Sequence, residues 1–239
     1  MKVLLLILAS DGPLYSDLER RWRHYMHTKP DSVEAYFYKA DPNLDVDYRF
    51  DGDTLWLRCE EKYPFLWKKL WLALKAFESR LHEFNFICRP VLSTFLVLDR
   101  YLAYLKRLPR DRSCCVGCTY WGGEQYYGYV GTFPCGSLFT FSVDIAHLVL
   151  ENTIIQDNEG VDDISFGKVL CDAQISIVNE PRVEFYSAES HDQKFYEISY
   201  FTNIFNVRVN HSEYGPNPDR VTLDLAVHDK LLTMFYHDF

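Results

Sequence analysis

Apolar residues in this chain fall into short blocks set between segments of helical period. Residues 3–8 are an unbroken apolar run stopped by Ser10-Asp11-Gly12-Pro13, which predicts a buried strand running into a loop. Ser16-Asp17-Leu18-Glu19 has capping-box spacing, and Leu18, Trp22, Tyr25 and Met26 then mark one helical face. Strands are predicted over residues 33–38 and 54–59. Pro64 opens a long helix striped by Leu66, Leu70, Leu74, Phe77 and Leu81, with Lys68, Lys69 and Lys75 on its solvated side and Trp67 and Trp71 as packing. Residues 84–88 form a fourth strand that runs up to Arg89. Leu98, Leu102 and Leu105 mark another helix, closed by Pro109.

The second half opens with a loop, residues 110–123, rich in charge, Cys and Gly. A strand-like run from Tyr129 ends in Pro134-Cys135-Gly136, a helix follows, and a polar loop delivers Asp162 and Asp163 to the start of another helix. Short strands are predicted at 175–178, 183–186, 195–201 and 204–209. Gly215-Pro216-Asn217-Pro218 breaks the chain before a last helix with Val221, Leu225, Leu232 and Phe235 inward. Alternating strands and helices predict an α/β fold, a mixed, mainly parallel central sheet flanked by helices. Ligands on such sheets bind beyond the carboxyl ends of the strands, which points to Ser10 and Asp11 and to residues 89–93. With no linker or repeat, a single domain spanning 1–239 is expected.

Composition narrows the function. Hydrophobic residues are 48% of the 239, enough for a substantial core. A net charge of -9 argues against nucleic acid or an anionic membrane as main partner but leaves room for a local basic pocket. Seven cysteines lack the regularity of a disulfide scaffold, and Cys115-x-x-Cys118 is half a zinc site without a second half. Reduced, partly buried thiols in a cytoplasmic setting are expected. The apolar run after Lys2 is short for a signal peptide, and no run reaches the ~18 to 20 residues that span a bilayer. No G-x-S-x-G, P-loop or G-x-G-x-x-G occurs, which removes the nucleophile-elbow, kinase-like and dinucleotide readings.

The order of several segments resembles one family. FNFICRPVLSTFLVLDRYLAYL, residues 84–105, resembles the central strand-loop-helix of β-1,3-galactosyltransferase and fringe-like enzymes, glycosyltransferase family 31. YVGTFPCGSLFTFSVDIAHLVLEN is similar to that family's Tyr-Pro-x-Tyr-x-x-Gly segment and the helix after it. VDDISFG resembles its Val-Glu-Asp-Val-x-x-Gly motif, and FNVRVN and DRVTLD echo its C-terminal part. The compact length is similar to that of small enzymes of this type in large DNA viruses. The resemblance covers most of the chain from Asp51 onward. It implies a GT-A-like fold, a nucleotide-sugar donor such as a UDP-hexose or UDP-deoxyhexose, a carbohydrate acceptor, and inverting transfer. The alternative is a non-catalytic nucleotide-sugar or glycan-binding protein on the same scaffold.

The resemblance implies site residues as well. Asp163 matches the family's basic carboxylate and Asp162 its neighbour; the plain reading of both is an acidic first turn favoured by the helix dipole. Arg89 matches a basic position and suits a diphosphate, with a structural ion pair as its plain reading. Ser10, Asp11, Ser93 and Arg208 are further nucleotide-sugar candidates, with turn formation and helix capping as the plain readings of the serines and Asp11. Cys135 and Gly136 are candidates for the acceptor side. Where the family carries three aspartates, this chain has Val91-Leu92-Ser93. Mn²⁺ or Mg²⁺ wants carboxylate oxygen, so either transfer is metal-independent or a metal is held elsewhere, with His211 as a weak candidate ligand. Asp51-x-Asp53 precedes a strand and reads as a turn.

Overall fold

The computed structural model describes residues 1–122, 131–152, 160–185, 191–209 and 220–237. The chain begins β1 (Val3–Leu8), α1 (Pro13–Tyr25), β2 (Val33–Ala40), β3 (Tyr48–Asp51), β4 (Thr54–Leu57), α2 (Leu66–Ala76), β5 (Phe86–Pro90), β6 (Thr94–Leu96) and α3 (Leu98–Leu105). It continues with β7 (Cys114–Val116), β8 (Thr119–Gly122), β9 (Gly131–Pro134), β10 (Leu138–Ser142), α4 (Val143–Glu151), α5 (Asp162–Asp172), β11 (Ile177–Asn179), β12 (Arg182–Phe185), α6 (His191–Tyr200), β13 (Asn206–Val209) and α7 (Arg220–Phe235). Contacts divide it into two compact units: Met1–Ser10, Asp31–Val91 and Leu108–Glu180 in the first, and Asp11–Pro30, Leu92–Arg107 and Pro181–Phe239 in the second.

The first unit is built on an eight-stranded sheet in the order β11-β7-β10-β5-β1-β2-β4-β3. β1 lies between β2 and β5, parallel to both. A strand apolar at every position can bury both its faces, and Val3 through Ile7 are each fully buried. β2 also runs parallel to β4 and β7 to β11, while β10 is antiparallel to β5 and β7, and β3 to β4. The mixed, largely parallel α/β architecture expected from the alternation is thus what the chain adopts. Leu70, Leu74, Phe77 and Leu81 are buried as their spacing predicts, in one core with Trp67, Phe139, Phe141, Phe166 and Val169. The helix holding the first two is shorter than predicted: 3-10 turns at Tyr63–Phe65 and Glu78–Glu83 bracket α2.

Three strands emerge where sequence suggested otherwise. Part of residues 110–123, expected as loop, is β7 and β8, because Cys114, Cys115 and Val116 fill the slot between β10 and β11. The run after Gly136, expected as helix, begins with five buried residues of β10 before α4 starts at Val143. The expected turn at Asp51-x-Asp53 joins β3 to β4, with Asp51 opposite Thr54.

The second unit carries a three-stranded sheet, β12-β13-β6, together with α1, α3, α6 and α7. The stripe Leu18, Trp22, Tyr25 and Met26 on α1 is fully buried, and Tyr25 stacks on Trp22 and Tyr236. α1 begins three residues before the predicted cap. Pro13 occupies its first turn, and the Ser16 N–H and Oγ both donate to the Gly12 carbonyl, so Ser16 lies inside the helix rather than capping it. Residues 195–201, predicted as strand, belong largely to α6: Gln193 bonds Glu197, and the rings of Tyr196 and Tyr200 stack 5.7 Å apart, both at helical i,i+4 spacing. The buried face of α7 is Leu223, Asp224, Val227, His228, Leu231 and Leu232. Leu225 and Phe235 are only half-buried, because two polar residues occupy inward positions that the apolar pattern could not reveal. No helix among the described residues is long and apolar enough to cross a membrane.

Candidate functional site

Because β1, β2 and β5 run parallel, their carboxyl ends share one edge of the first unit's sheet. Arg89, at the end of β5, is 1% exposed. Its Nε donates to the Tyr38 hydroxyl at 3.2 Å, its Nη1 to the Gly136 carbonyl, and its Nη2 pairs with the Asp162 carboxylate. The guanidinium also lies 5.1 Å from the centre of the Phe139 ring on β10. Burial opposes its charge, but the facing Asp162 and Tyr38 more than offset that and hold Arg89 cationic.

Asp162 and Asp163 open α5. The Asp163 N–H donates to Asp162 Oδ1 at 3.0 Å, and the Ile164 N–H to Asp163 Oδ1 at 2.8 Å. A helix N-terminus favours negative charge by about 0.3–1 kcal/mol, yet both carboxyls titrate above their usual range. Burial is the chief cause in each case. Desolvation, then the neighbouring Asp162 charge, push Asp163 up to about 7 against the pull of Arg89. Gly136 completes this corner: a Cβ there would sit 2.7 Å from Asp163 Oδ2, so only glycine lets the carboxylate lie this close to the turn. Next to it, Cys135 Sγ lies 3.2 Å from Ser137 Oγ.

Three residues of this region were not anticipated as part of it. Lys69, expected on a solvated face, is 1% exposed. Its Nζ donates to the Ala9 carbonyl at 2.8 Å and to Glu61 at 2.6 Å, and burial lowers its pKa despite Glu61. Glu61 also accepts from Ser10 Oγ at 2.9 Å and from the Ala40 N–H at 3.2 Å. Tyr38, beneath the Lys69 ammonium at 5.7 Å, joins this group to Arg89. A chain of polar contacts therefore runs from Ser10 through Glu61, Lys69, Tyr38 and Arg89 to Asp162 and Asp163. The available signal was angular: Lys69 precedes the buried Leu72 and Ala73 by three and four residues, which puts it on the apolar arc of α2.

Of the sequence candidates, Ser10, Arg89, Cys135, Gly136, Asp162 and Asp163 meet in the first unit. Ser93 and Arg208 meet in the second, with Arg208 Nη1 donating to Ser93 Oγ at 2.6 Å. Asp11 is an exposed residue of the second unit. His211 lies outside the described residues. At the triplet position, Leu92 is buried with its carbonyl receiving Trp22 Nε1, and the Ser93 hydroxyl already accepts from a guanidinium. These donors do not fit Mg²⁺ or Mn²⁺, and no cluster of three His, Cys, Asp or Glu occurs among the described residues.

No family model matches the chain, and no curated protein matches it. Among solved structures, it is similar to a glycosyltransferase involved in the glycosylation of the major capsid of PBCV-1, at 8% identity over 95% of this chain and 99% of that one, TM-score 0.48. It is also similar to the galactosyltransferase LgtC in complex with donor and acceptor sugar analogs, at 10% identity over 97% and 96%, TM-score 0.46. A third similar structure is the apo form of mouse xyloside xylosyltransferase 1, at 9% identity over 91% of this chain and 100% of that one, TM-score 0.45.

Proposed function

We propose that this chain is an inverting glycosyltransferase of GT-A-like fold that moves a sugar from a nucleoside-diphosphate sugar to a hydroxyl of a carbohydrate acceptor, with Asp163 as general base. The observation that carries the reading is the Asp163 carboxyl. It lies beside the Gly136 turn at the crest of a largely parallel sheet, tuned to about 7 by burial and by Asp162. The ordered motif resemblance to family 31 supports it independently.

In the step, Asp163 takes the acceptor hydroxyl's proton as that oxygen bonds to the anomeric carbon, and the bond from that carbon to the diphosphate breaks on the opposite face. A base with a pKa near the working pH combines availability with strength. Asp162 keeps Asp163 a better base through its charge. Arg89, with its guanidinium taken up by Asp162, Tyr38 and Gly136, acts as a positioning residue that ties β5, the 135–137 turn and α5 together. Ser10 and Glu61, fixed by Lys69 at the ends of β1 and β2, offer a hydroxyl and a carboxylate for the donor's ribose hydroxyls. No step is routed through a metal, and Asp11, Ser93 and Arg208 are assigned no part in proton transfer.

The test is Asp163→Asn, assayed against a panel of nucleotide sugars and acceptors. Transfer is expected to fall by about 10²–10⁴-fold, the usual worth of a general base, while a bound donor still raises the melting temperature. In the unaltered protein, kcat is expected to rise with pH through a midpoint near 7. Undiminished turnover in Asp163→Asn rejects the assignment. Donor binding by the unaltered protein with neither transfer nor donor hydrolysis selects the non-catalytic alternative.

A further inference from the structure

The β8–β9 ribbon ends in a pair of cysteines that the proposed chemistry does not use. Thr119 faces Pro134 in its register. Proline has no N–H, so that pair occupies a non-hydrogen-bonded site, and the pairs on either side carry the ladder bonds. The next pair out is Cys118 and Cys135, and the Cys135 N–H donates to the Cys118 carbonyl at 2.9 Å. Residues facing each other as a hydrogen-bonded pair of this kind have Cα atoms about 5.5 Å apart, inside the roughly 4.4–6.8 Å range of disulfides. The two side chains share one face of the ribbon with Tyr120, whose hydroxyl is held protonated chiefly by the nearby Cys135 thiol. Both cysteines are half-buried and not joined in a disulfide, whereas Cys59, Cys88, Cys114 and Cys115 are buried, and Cys171 is exposed.

We infer that Cys118 and Cys135 form a reversible disulfide when a small-molecule disulfide oxidant is present, and that this bond acts on the turn holding Asp163. One thiol gives up its proton and attacks the oxidant's S–S bond, releasing one small thiol and leaving a mixed disulfide. The second cysteine, deprotonated in turn, attacks the protein-side sulfur and releases the other small thiol. Two electrons and two protons have then passed from the protein to the oxidant. Closure draws Cys135 Sγ away from Ser137 Oγ and pins the residue before Gly136, whose carbonyl receives Arg89 and whose Cα faces Asp163.

The experiment treats the reduced, folded chain with oxidised glutathione, blocks remaining thiols by alkylation and maps peptides by mass spectrometry. A monomer with one 118–135 bond, reopened by dithiothreitol, is the expected product. It should form at least about tenfold faster in the folded protein than in urea, since proximity is the basis of the claim. Cys118→Ser and Cys135→Ser should each stop at a glutathione adduct on the surviving partner, and Cys171→Ser should leave the product unchanged. Glutathione persisting on 118 or 135 in the unaltered chain overturns the inference. So do dimers linked only through Cys171, or equal rates in folded and unfolded chains.

Discussion

Arg89 and Asp162 are both buried to about 1% exposure, and a buried ion pair costs desolvation on both sides before its attraction counts. Removing one partner is therefore far worse than removing both. Asp162→Ala strands a guanidinium in the sheet edge and is expected to lower stability by about 3–5 kcal/mol. Arg89→Met with Asp162→Leu should recover most of that loss in urea unfolding. Asp163 differs, because Arg89 keeps its pairing with Asp162 when the Asp163 carboxyl is made neutral. Its carboxyl is pushed above the usual range, so its charge destabilises the fold at neutral pH, and Asp163→Asn should leave stability unchanged or raised while transfer fails. A loss of stability in Asp163→Asn as large as that in Asp162→Ala would contradict this division of roles. The acidic pair itself was legible, since two carboxylates after a polar loop and before an apolar helix stand out in VDDISFG. The partners that tune it were not. Tyr38 and Lys69 belong to a strand and a helix read as core and solvated face, and only tertiary packing turns Lys69 toward Ala9 and Glu61.

At the scale of elements, α5 reaches its place because it can press close to β9. A Cβ at Gly167 would meet the Phe133 Cβ at 2.4 Å and the Phe133 backbone at 2.8 Å. The backbone cannot yield cheaply, so Gly167→Ala should push α5 away, with an expected loss of about 1–3 kcal/mol in chemical denaturation. A neutral Gly167→Ala would mean that α5 does not need this approach. The strands of the first half were readable because β1, β2 and β5 are apolar runs ended by turn residues. The misread elements have separate physical causes. β10 lies between two other strands, so Leu138 to Ser142 is buried throughout and carries no alternation to tell it from the helix that follows. In α6 only Ile198 is fully buried, and a helix with so little apolar face imitates a strand when its aromatics cluster at 195, 196, 200 and 201.

Across the molecule, two buried groups, one in each compact unit, respond to acid with opposite sign. In the second unit, His228 on α7 is fully buried, edge-on to Phe95 at 5.5 Å. It is surrounded by the Ser93 backbone, Arg21, Asp229 and Arg208, and burial above all lowers its pKa to about 4. The unfolded chain, with an ordinary histidine near 6.5, binds this proton first as pH falls, so stability drops between about 6.5 and 4. The full effect is about 3 kcal/mol. In the first unit, Asp163 titrates near 7 when folded and near 3.8 when unfolded. The folded state binds that proton first, so its contribution is fully present below about 3.8 and is lost as pH rises through 7. Unfolding followed from pH 4 to 8 should therefore show opposed dependences. His228→Phe should remove the acid-side loss and Asp163→Asn the neutral-side loss. The difference between unaltered and His228→Phe protein should grow as pH falls below about 6.5 and level off near 4. A difference independent of pH would mean that His228 titrates in the folded chain as it does in water, and a difference that shrinks as pH falls would mean that it is held charged there.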